Sequence, residues 1–404
     1  MASNKSSKLK TGDLIEVTIE KVAHGGHFIA RHDGAVIFVR HAIPGERCII
    51  EITSTGASFN RADVVEVLEK SQHRVLAPCS YAHRSGCGGC DFQHIQPSFQ
   101  RQLKSDVIKE QFSRIAKMHI EIEVEEVSRS THWRTRAIAT TNHDGKFGFF
   151  KSRSHTVVPV EDCLICVDSL RLKDLASSPL RADVRVEVSA SNTGERTVAF
   201  APTQGQGKAR IAEGPAILHE KVFGKTLQVS QASFWQSNER APEVLTQAVL
   251  ELADLKSGDH VLDLYGGVGL FTAAILEAIG PSGHIDLIEG SKVASADAVR
   301  NFSLNSNITI ATGDVTKLLP RITAADVVVL DPPRDGAGKE AVAEIARLEP
   351  RSIVYVACDP AALARDTAYL ADHSFSLSQL RAFDLFPMTH HIECVALYTR
   401  AKVS

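Results

Sequence analysis

The sequence predicts a three-part α/β protein: a small β-barrel over residues 1–70, an α+β segment over 71–228, and an open parallel sheet with helices on both faces over 229–404. Three observations carry this. Period-two strands and turn residues fill the first 70 positions, a cysteine-rich loop and one amphipathic helix mark the middle, and apolar strands alternate with helices from about Val229. A length of 404 residues fits two or three domains and a core that needs no disulfide staple. With 44% hydrophobic and 23% charged residues, the chain falls outside the disordered, collagen-like and coiled-coil classes. Its apolar runs, such as Ala35 to Val39 and Val327 to Leu330, are far shorter than the roughly 18 residues of a membrane helix. The first residues lack an apolar signal core, so a cytoplasmic protein with no membrane partner is expected.

In the first segment, Leu14-Ile-Glu-Val-Thr-Ile-Glu, Ala35-Val-Ile-Phe-Val and Arg47-Cys-Ile-Ile-Glu-Ile alternate with period two. His24-Gly-Gly, His32-Asp-Gly and Ile43-Pro-Gly supply turns between them. Several short strands without a helical pattern indicate a barrel of the oligonucleotide-binding type. A purely structural barrel would share the pattern.

The middle segment opens with Cys79-Ser-Tyr-Ala-His-Arg-Ser-Gly-Cys87-Gly-Gly-Cys90. Phe99, Leu103, Val107, Ile108, Phe112 and Ile115 then recur at helical spacing, with Arg101, Lys104, Lys109 and Arg114 expected on the outer face. A strand is expected from Trp133 to Thr141, a turn at His143-Asp-Gly, and a second strand from Lys146 to Lys151. Although the net charge is −3, the stretch from Ser71 to Val160 holds 13 Lys and Arg against 8 Asp and Glu. A basic segment in an acidic chain fits one face meeting phosphates, and equally a solvated surface.

In the third segment helix is expected from Ala241 to Leu255, and strands at 260–265, 284–289, 308–311, 327–331, 352–358 and 393–398. Asp263-Leu-Tyr-Gly-Gly-Val-Gly-Leu270 closes the first strand and opens a helix. Its Gly-Gly-x-Gly spacing differs from the dinucleotide Gly-x-Gly-x-x-Gly, which disfavours NAD. Glu289 ends the second strand, where an acid can hold both hydroxyls of a ribose, and Asp314 follows the third. Taken singly, such acids cap helices. Leu330-Asp331-Pro332-Pro333-Arg334 ends the fourth strand with two prolines that hold the backbone extended. Cys358 ends the fifth, before a helix start that would favour a thiolate. Elsewhere such a cysteine is a small buried hydrophobe.

Asp331-Pro-Pro-Arg, Tyr355-Val-Ala-Cys358-Asp-Pro, Phe386-Pro-Met-Thr-His-His-Ile-Glu393 and Ser233-Phe-Trp-Gln236-Ser-Asn238 together resemble the RNA uracil-5-methyltransferase family. The resemblance extends over nearly the whole chain. It implies a class I methyltransferase (Rossmann-like) domain, an N-terminal TRAM (OB-like) barrel, and a central α+β domain with an iron–sulfur cluster and an RNA-binding surface. It further implies S-adenosyl-L-methionine as methyl donor, uridine in RNA as acceptor (ribosomal RNA favoured over transfer RNA), Cys358 as nucleophile and Glu393 as general base. Gln236, Tyr265, Glu289, Asp314 and Asp331 fall at cofactor-contacting positions. Leu270 stands where several relatives have Asn, so a polar cofactor contact is absent there.

One close Cys-x-x-Cys pair with Cys79 upstream could hold zinc, whereas zinc sites usually show two pairs. Three clustered thiols with a distant fourth fit a [4Fe–4S] site. The family pattern assigns Cys79, Cys87, Cys90 and Cys163 as ligands, selecting Cys163 over Cys166 in Val160-Glu-Asp-Cys163-Leu-Ile-Cys166. The expectation is a monomeric enzyme with RNA as its partner. Its rivals are methylation of another RNA base, and an RNA-binding iron–sulfur or zinc protein whose methyltransferase domain is inactive.

Overall fold

The computed structural model describes residues 9–203 and 207–400. Strands β1 (Leu14–Ala23), β2 (His27–His32), β3 (Ala35–Arg40), β4 (Arg47–Ser54) and β5 (Asn60–Glu69) close into a barrel in the order β1-β2-β3-β5-β4. The period-two pattern turns Ile19, Phe28, Ile37, Val39 and Ile50 inward, all fully buried. The β1–β2 turn brings Gly26, at φ +77°, against Asp91 and His390, so closely that a Cβ there would overlap both side chains.

Helix α1 (Pro97–Gln111) starts on a proline at its first turn and continues into a π-helical turn at Phe112–Ala116. Leu103, Val107, Ile108 and Phe112 join the barrel interior and one face of the C-terminal sheet in a single apolar cluster. Lys104 departs from the sequence expectation: it is buried, and its Nζ donates to Asp384 Oδ1 at 2.6 Å and to the Phe386 carbonyl at 3.1 Å. The helix is covered on that side by chain from the far end of the sequence, which helical periodicity cannot anticipate.

Strand β6 (Val124–Glu126) leaves this segment to join the C-terminal sheet. Strands β7 (Arg136–Thr141), β8 (Phe147–Phe150) and β9 (Val157–Pro159), helix α2 (Leu172–Ser177), and strands β10 (Val184–Ala190), β11 (Arg196–Pro202) and β12 (Arg210–Glu213) follow. These strands form a sheet ordered β12-β11-β10-β7-β8-β9. Trp133, expected to begin a strand, instead lies before the ladder, buried against Ile165 and Met388. A hairpin of β13 (Ile217–Val222) and β14 (Lys225–Ser230) leads to the C-terminal part.

That part runs α3 (Ala241–Ala253), β15 (His260–Leu264), α4 (Leu270–Ile279), β16 (His284–Glu289), α5 (Lys292–Asn301), β17 (Ile308–Thr312), α6 (Val315–Leu318), β18 (Val327–Leu330), α7 (Gly338–Arg347), β19 (Ser352–Ala357), α8 (Pro360–Asp372), β20 (Phe375–Asp384) and β21 (Glu393–Arg400). The strand order is β17-β16-β15-β18-β19-β21-β20-β6. Helices α3, α4 and α5 pack through Leu245, Phe271 and Ala294 on one face, and α6, α7 and α8 through Val315, Ala341 and Leu363 on the other. The sheet is not wholly parallel as expected: β21 runs antiparallel between β19 and β20. The loop from 385 to 392 is too short for the helical crossover that parallel neighbours require, so the strand returns antiparallel.

Candidate active site and cysteine site

The reversed strand determines the centre of the site. Ala357 pairs with Cys394, so one step further Cys358 faces Glu393 across the strand ends. Glu393 is 3% exposed, although a charged residue at a strand start is ordinarily solvated. Burial, the neighbouring Asp331 carboxylate and the opposing pull of Arg334 leave its carboxyl well above the usual carboxylate range. Burial and the Asp263 carboxylate push Asp331 upward likewise.

Cys358 is only partly buried and lies beside both acids. Burial first, then Glu393 and Asp331, push its thiol up to about 12, against a smaller opposite pull from Arg334. The thiolate-favouring helix start expected from sequence is overridden. Asp359 caps α8 through its Oδ1, which accepts from the Ala361 and Ala362 amides at 2.9 Å each, so a carboxylate already occupies the helix end.

The glycine loop follows β15, with Tyr265 in left-handed backbone at φ 59°. At Gly269, φ +92°, a Cβ would overlap the Phe302 ring. The Gly267 amide donates to Glu289 Oε2 at 2.9 Å, which ties the loop to the end of β16. Asp263 Oδ2 accepts from the Thr272 amide at 3.1 Å and hydroxyl at 2.6 Å, while its buried Oδ1 has no partner. Burial, opposed by the Thr272 donors and aided by the charge of Glu289, raises Asp263 to about 6. Gln236 Nε2 approaches Asp331 Oδ2 at 3.4 Å. Burial, with Asp314 and Asp366 nearby, raises Tyr265 to about 12. Gln236, Tyr265, Glu289 and Asp331 thus gather beyond the C-terminal ends of β15, β16 and β18. Asp314 is exposed and caps α6 through Thr316. The raised carboxyls of buried Asp263 and half-buried Asp331 lie at the strand ends where open α/β sheets bind their ligands.

A cavity of about 370 Å³ opens in front of Cys358 between all three parts of the chain. Its walls include His24 and Arg40 of the barrel, Arg153 of the middle segment, and Arg334. His24 Nε2 lies 3.0 Å from Asp359 Oδ2, joining the barrel hairpin to the residue after Cys358. In the sequence His24-Gly-Gly reads as turn chemistry, and nothing there marks Arg40, Arg153 or His24 for this site. A polar ring beside glycines is too common to single out.

Cys79, Cys87, Cys90 and Cys163 line one small cavity of about 20 Å³, with Tyr81 and Phe149 also in its wall. Cys166 does not line this cavity; it joins the core of the middle sheet, and its thiol hydrogen-bonds with that of Cys163. Burial raises the Cys87 and Cys90 thiols, and the charges of their cysteine neighbours add to this. Among the described residues, only His260, His284 and Asp286 bring three metal-ligating atoms within 4.8 Å of one another. They sit at the opposite end of the strands, where Asp286 takes His260 Nε2 at 2.7 Å.

An α/β sheet of this order, with a glycine loop after its first strand and an N-terminal barrel, defines a class I methyltransferase fold carrying a TRAM domain. The family model for tRNA (uracil-5-)-methyltransferase matches residues 319–401, and that for the TRAM domain matches 8–65. A Streptomyces avermitilis protein described as an uncharacterized RNA methyltransferase is 40% identical, covering 96% of this chain and 98% of its own. One of the same description from Caldanaerobacter subterraneus is 31% identical, covering 98% and 100%. The chain belongs to the RNA uracil-5-methyltransferase family. The crystal structure of Pyrococcus abyssi tRNA (uracil-54, C5)-methyltransferase with S-adenosyl-L-homocysteine shares the fold, at TM-score 0.74 and 20% identity over 95% of this chain and 100% of that one. No helix among the described residues is long and apolar enough to cross a membrane.

Proposed function

We propose that the protein transfers a methyl group from S-adenosyl-L-methionine to C5 of a uridine in RNA through a covalent bond between Cys358 and C6. The carrying observation is the antiparallel register that sets Cys358 opposite Glu393 beside Asp331. Uracil C5 is a poor nucleophile until a group adds to C6, and a sulfur nucleophile suits that conjugate addition. Bound S-adenosyl-L-methionine supplies an electrophilic methyl on a sulfonium. Gln236, Tyr265, Glu289 and Asp331 would hold it, with Asp314 at the rim, and the unpaired Asp263 oxygen and raised carboxyls support a cation there. That positive charge offsets the field holding Cys358 protonated, so the thiol gives its proton to solvent in the cavity and adds as the thiolate. Its pair forms the S–C6 bond while the C5=C6 pair passes into the enolate whose C5 takes the methyl. Glu393 then takes the C5 proton, and its raised basicity suits the step. The cavity between the three parts, with Arg40, Arg153 and Arg334 in its walls, supports entry of a base flipped from its stack while the phosphates stay outside.

Cys79, Cys87, Cys90 and Cys163 would hold a [4Fe–4S] cluster, a reading supported by the one cavity that all four line and by a single close Cys-x-x-Cys pair where zinc sites usually show two. Its role is structural, since methyl transfer involves no redox change. A barrel and cysteine site beside the catalytic cavity favour a large folded substrate, ribosomal RNA over transfer RNA, acted on by a cytoplasmic monomer. The test is incubation with bulk RNA and labelled S-adenosyl-L-methionine, followed by mapping of the methylated nucleotide. Label on uracil C5 of ribosomal RNA is expected. No label identifies an inactive domain, and label at another atom or base overturns the reaction. Cys358→Ala should lose turnover and keep cofactor binding.

A further inference from the structure

The loop that delivers Glu393 is held largely by the middle segment. Asp91 Oδ1 accepts the His390 amide at 3.0 Å, and its Oδ2 lies 2.5 Å from His390 Nδ1. The Phe92 amide donates to the Met388 carbonyl at 3.0 Å. Gln100 Oε1 accepts the Met388 amide at 2.9 Å, and its Nε2 donates to the Phe92 and Ile95 carbonyls. Lys104 bonds Asp384 and Phe386 at the loop's start, as described above. Met388 is held at φ 67°, a conformation that a free loop would rarely adopt. From the C-terminal part itself, Asn238 Nδ2 donates to the Leu385 carbonyl at 2.7 Å, and the Thr389 hydroxyl donates to the Phe386 carbonyl at 2.8 Å and accepts the His391 amide at 3.3 Å. On the reverse of the loop, Met388 and Phe386 pack with Trp133, Ile165, Cys90 and Cys163. The cysteine site and the approach to Glu393 therefore share one wall.

We propose that Asp91, Gln100 and Lys104 are positioning residues for Glu393, and that through Asp91, next to Cys90, the cysteine site sets the geometry of the proton-removal step. This rests on the covalent reading above. In that reading the C5 proton passes to Glu393, the C5–H electron pair re-forms the C5=C6 double bond, and the C6–S bond breaks to return its pair to Cys358. Methyl transfer precedes all of this and does not need Glu393. A displaced Glu393 therefore leaves the methyl transferred and the RNA still attached.

The test uses full-length, cluster-loaded enzyme with 5-methyluridine-free bulk RNA and labelled S-adenosyl-L-methionine, comparing wild type with Asp91→Asn, Lys104→Met and Glu393→Gln in a single turnover. Asp91→Asn is isosteric and guards against misfolding at Lys104→Met. In Asp91→Asn and Lys104→Met, iron content, cofactor affinity and the rate of label transfer should stay within about threefold of wild type, while RNA release slows by about 10- to 100-fold. Labelled protein–RNA adduct should accumulate on a denaturing gel, as with Glu393→Gln. If Glu393→Gln accumulates adduct and Asp91→Asn does not, the positioning role is overturned alone. If Glu393→Gln itself accumulates none, the covalent reading falls and the positioning role with it.

Discussion

Cys358 should be an unusually slow thiol in the free protein, although it is the nucleophile of the proposed reaction. Held up to about 12, it is ionised to roughly one part in 10⁵ at neutral pH, against about one part in 30 for a thiol near 8.5. That is a deficit of about 3,000-fold. The greater intrinsic nucleophilicity of a more basic thiolate recovers about 40-fold, leaving alkylation about 100-fold slower than for a model thiol. The assay is iodoacetamide labelling across pH 7 to 11, read by mass spectrometry of the Cys358 peptide beside a reference thiol peptide. The rate should climb nearly tenfold per pH unit above pH 9 without levelling off. Removing the Glu393 charge in Glu393→Gln removes one cause of the elevation, so labelling near pH 10 should quicken by about tenfold or more. A plateau below pH 9, or slower labelling in Glu393→Gln, would refute the electrostatic argument.

Asp331→Asn removes a carboxyl from the proposed cofactor site and should weaken S-adenosyl-L-methionine by about 10-fold or more in calorimetry, with thermal stability unchanged or raised, because a half-buried acid beside Asp263 is lost. Gly26→Ala introduces a side chain into Asp91 and His390 at positive φ, and should lower kcat/KM through the barrel hairpin while the isolated sheet folds remain intact by circular dichroism. Cys90→Ser should lose the broad visible absorption of an iron–sulfur cluster in anaerobically purified protein, whereas Cys166→Ser, altered within the apolar core, should keep it. Chelation of iron should bleach that absorption in the wild type.

Much of the architecture was legible because it depends on local repetition. Buried strands at 284–289 and 327–331 and the glycine loop after Leu264 are written in neighbouring side chains and formed within a residue of their expected bounds, and the three period-two barrel strands began where expected, the first running three residues longer. Strand β20 was missed: Phe375-Ser-Leu-Ser-Gln-Leu carries serines and glutamine where alternation should be apolar, and it becomes a strand through pairing with β21 and β6. The identities of Cys358, Glu393 and Asp331 were likewise readable as motifs, but their environment was not.

By itself, then, the sequence determined the strongly patterned strands and helices, which part of the chain gathers the cysteines, and that a net charge of −3 conceals a basic middle. Only the tertiary structure decided that β21 reverses to set Glu393 against Cys358, that Cys163 lines one cavity with Cys79, Cys87 and Cys90, and that Lys104 is buried. The division has one physical origin. Backbone conformation and amphipathic period are fixed by residues a few positions apart, whereas burial and charge at a side chain come from segments such as 91–104 and 384–393, nearly 300 residues apart in sequence and in contact only once the chain has folded.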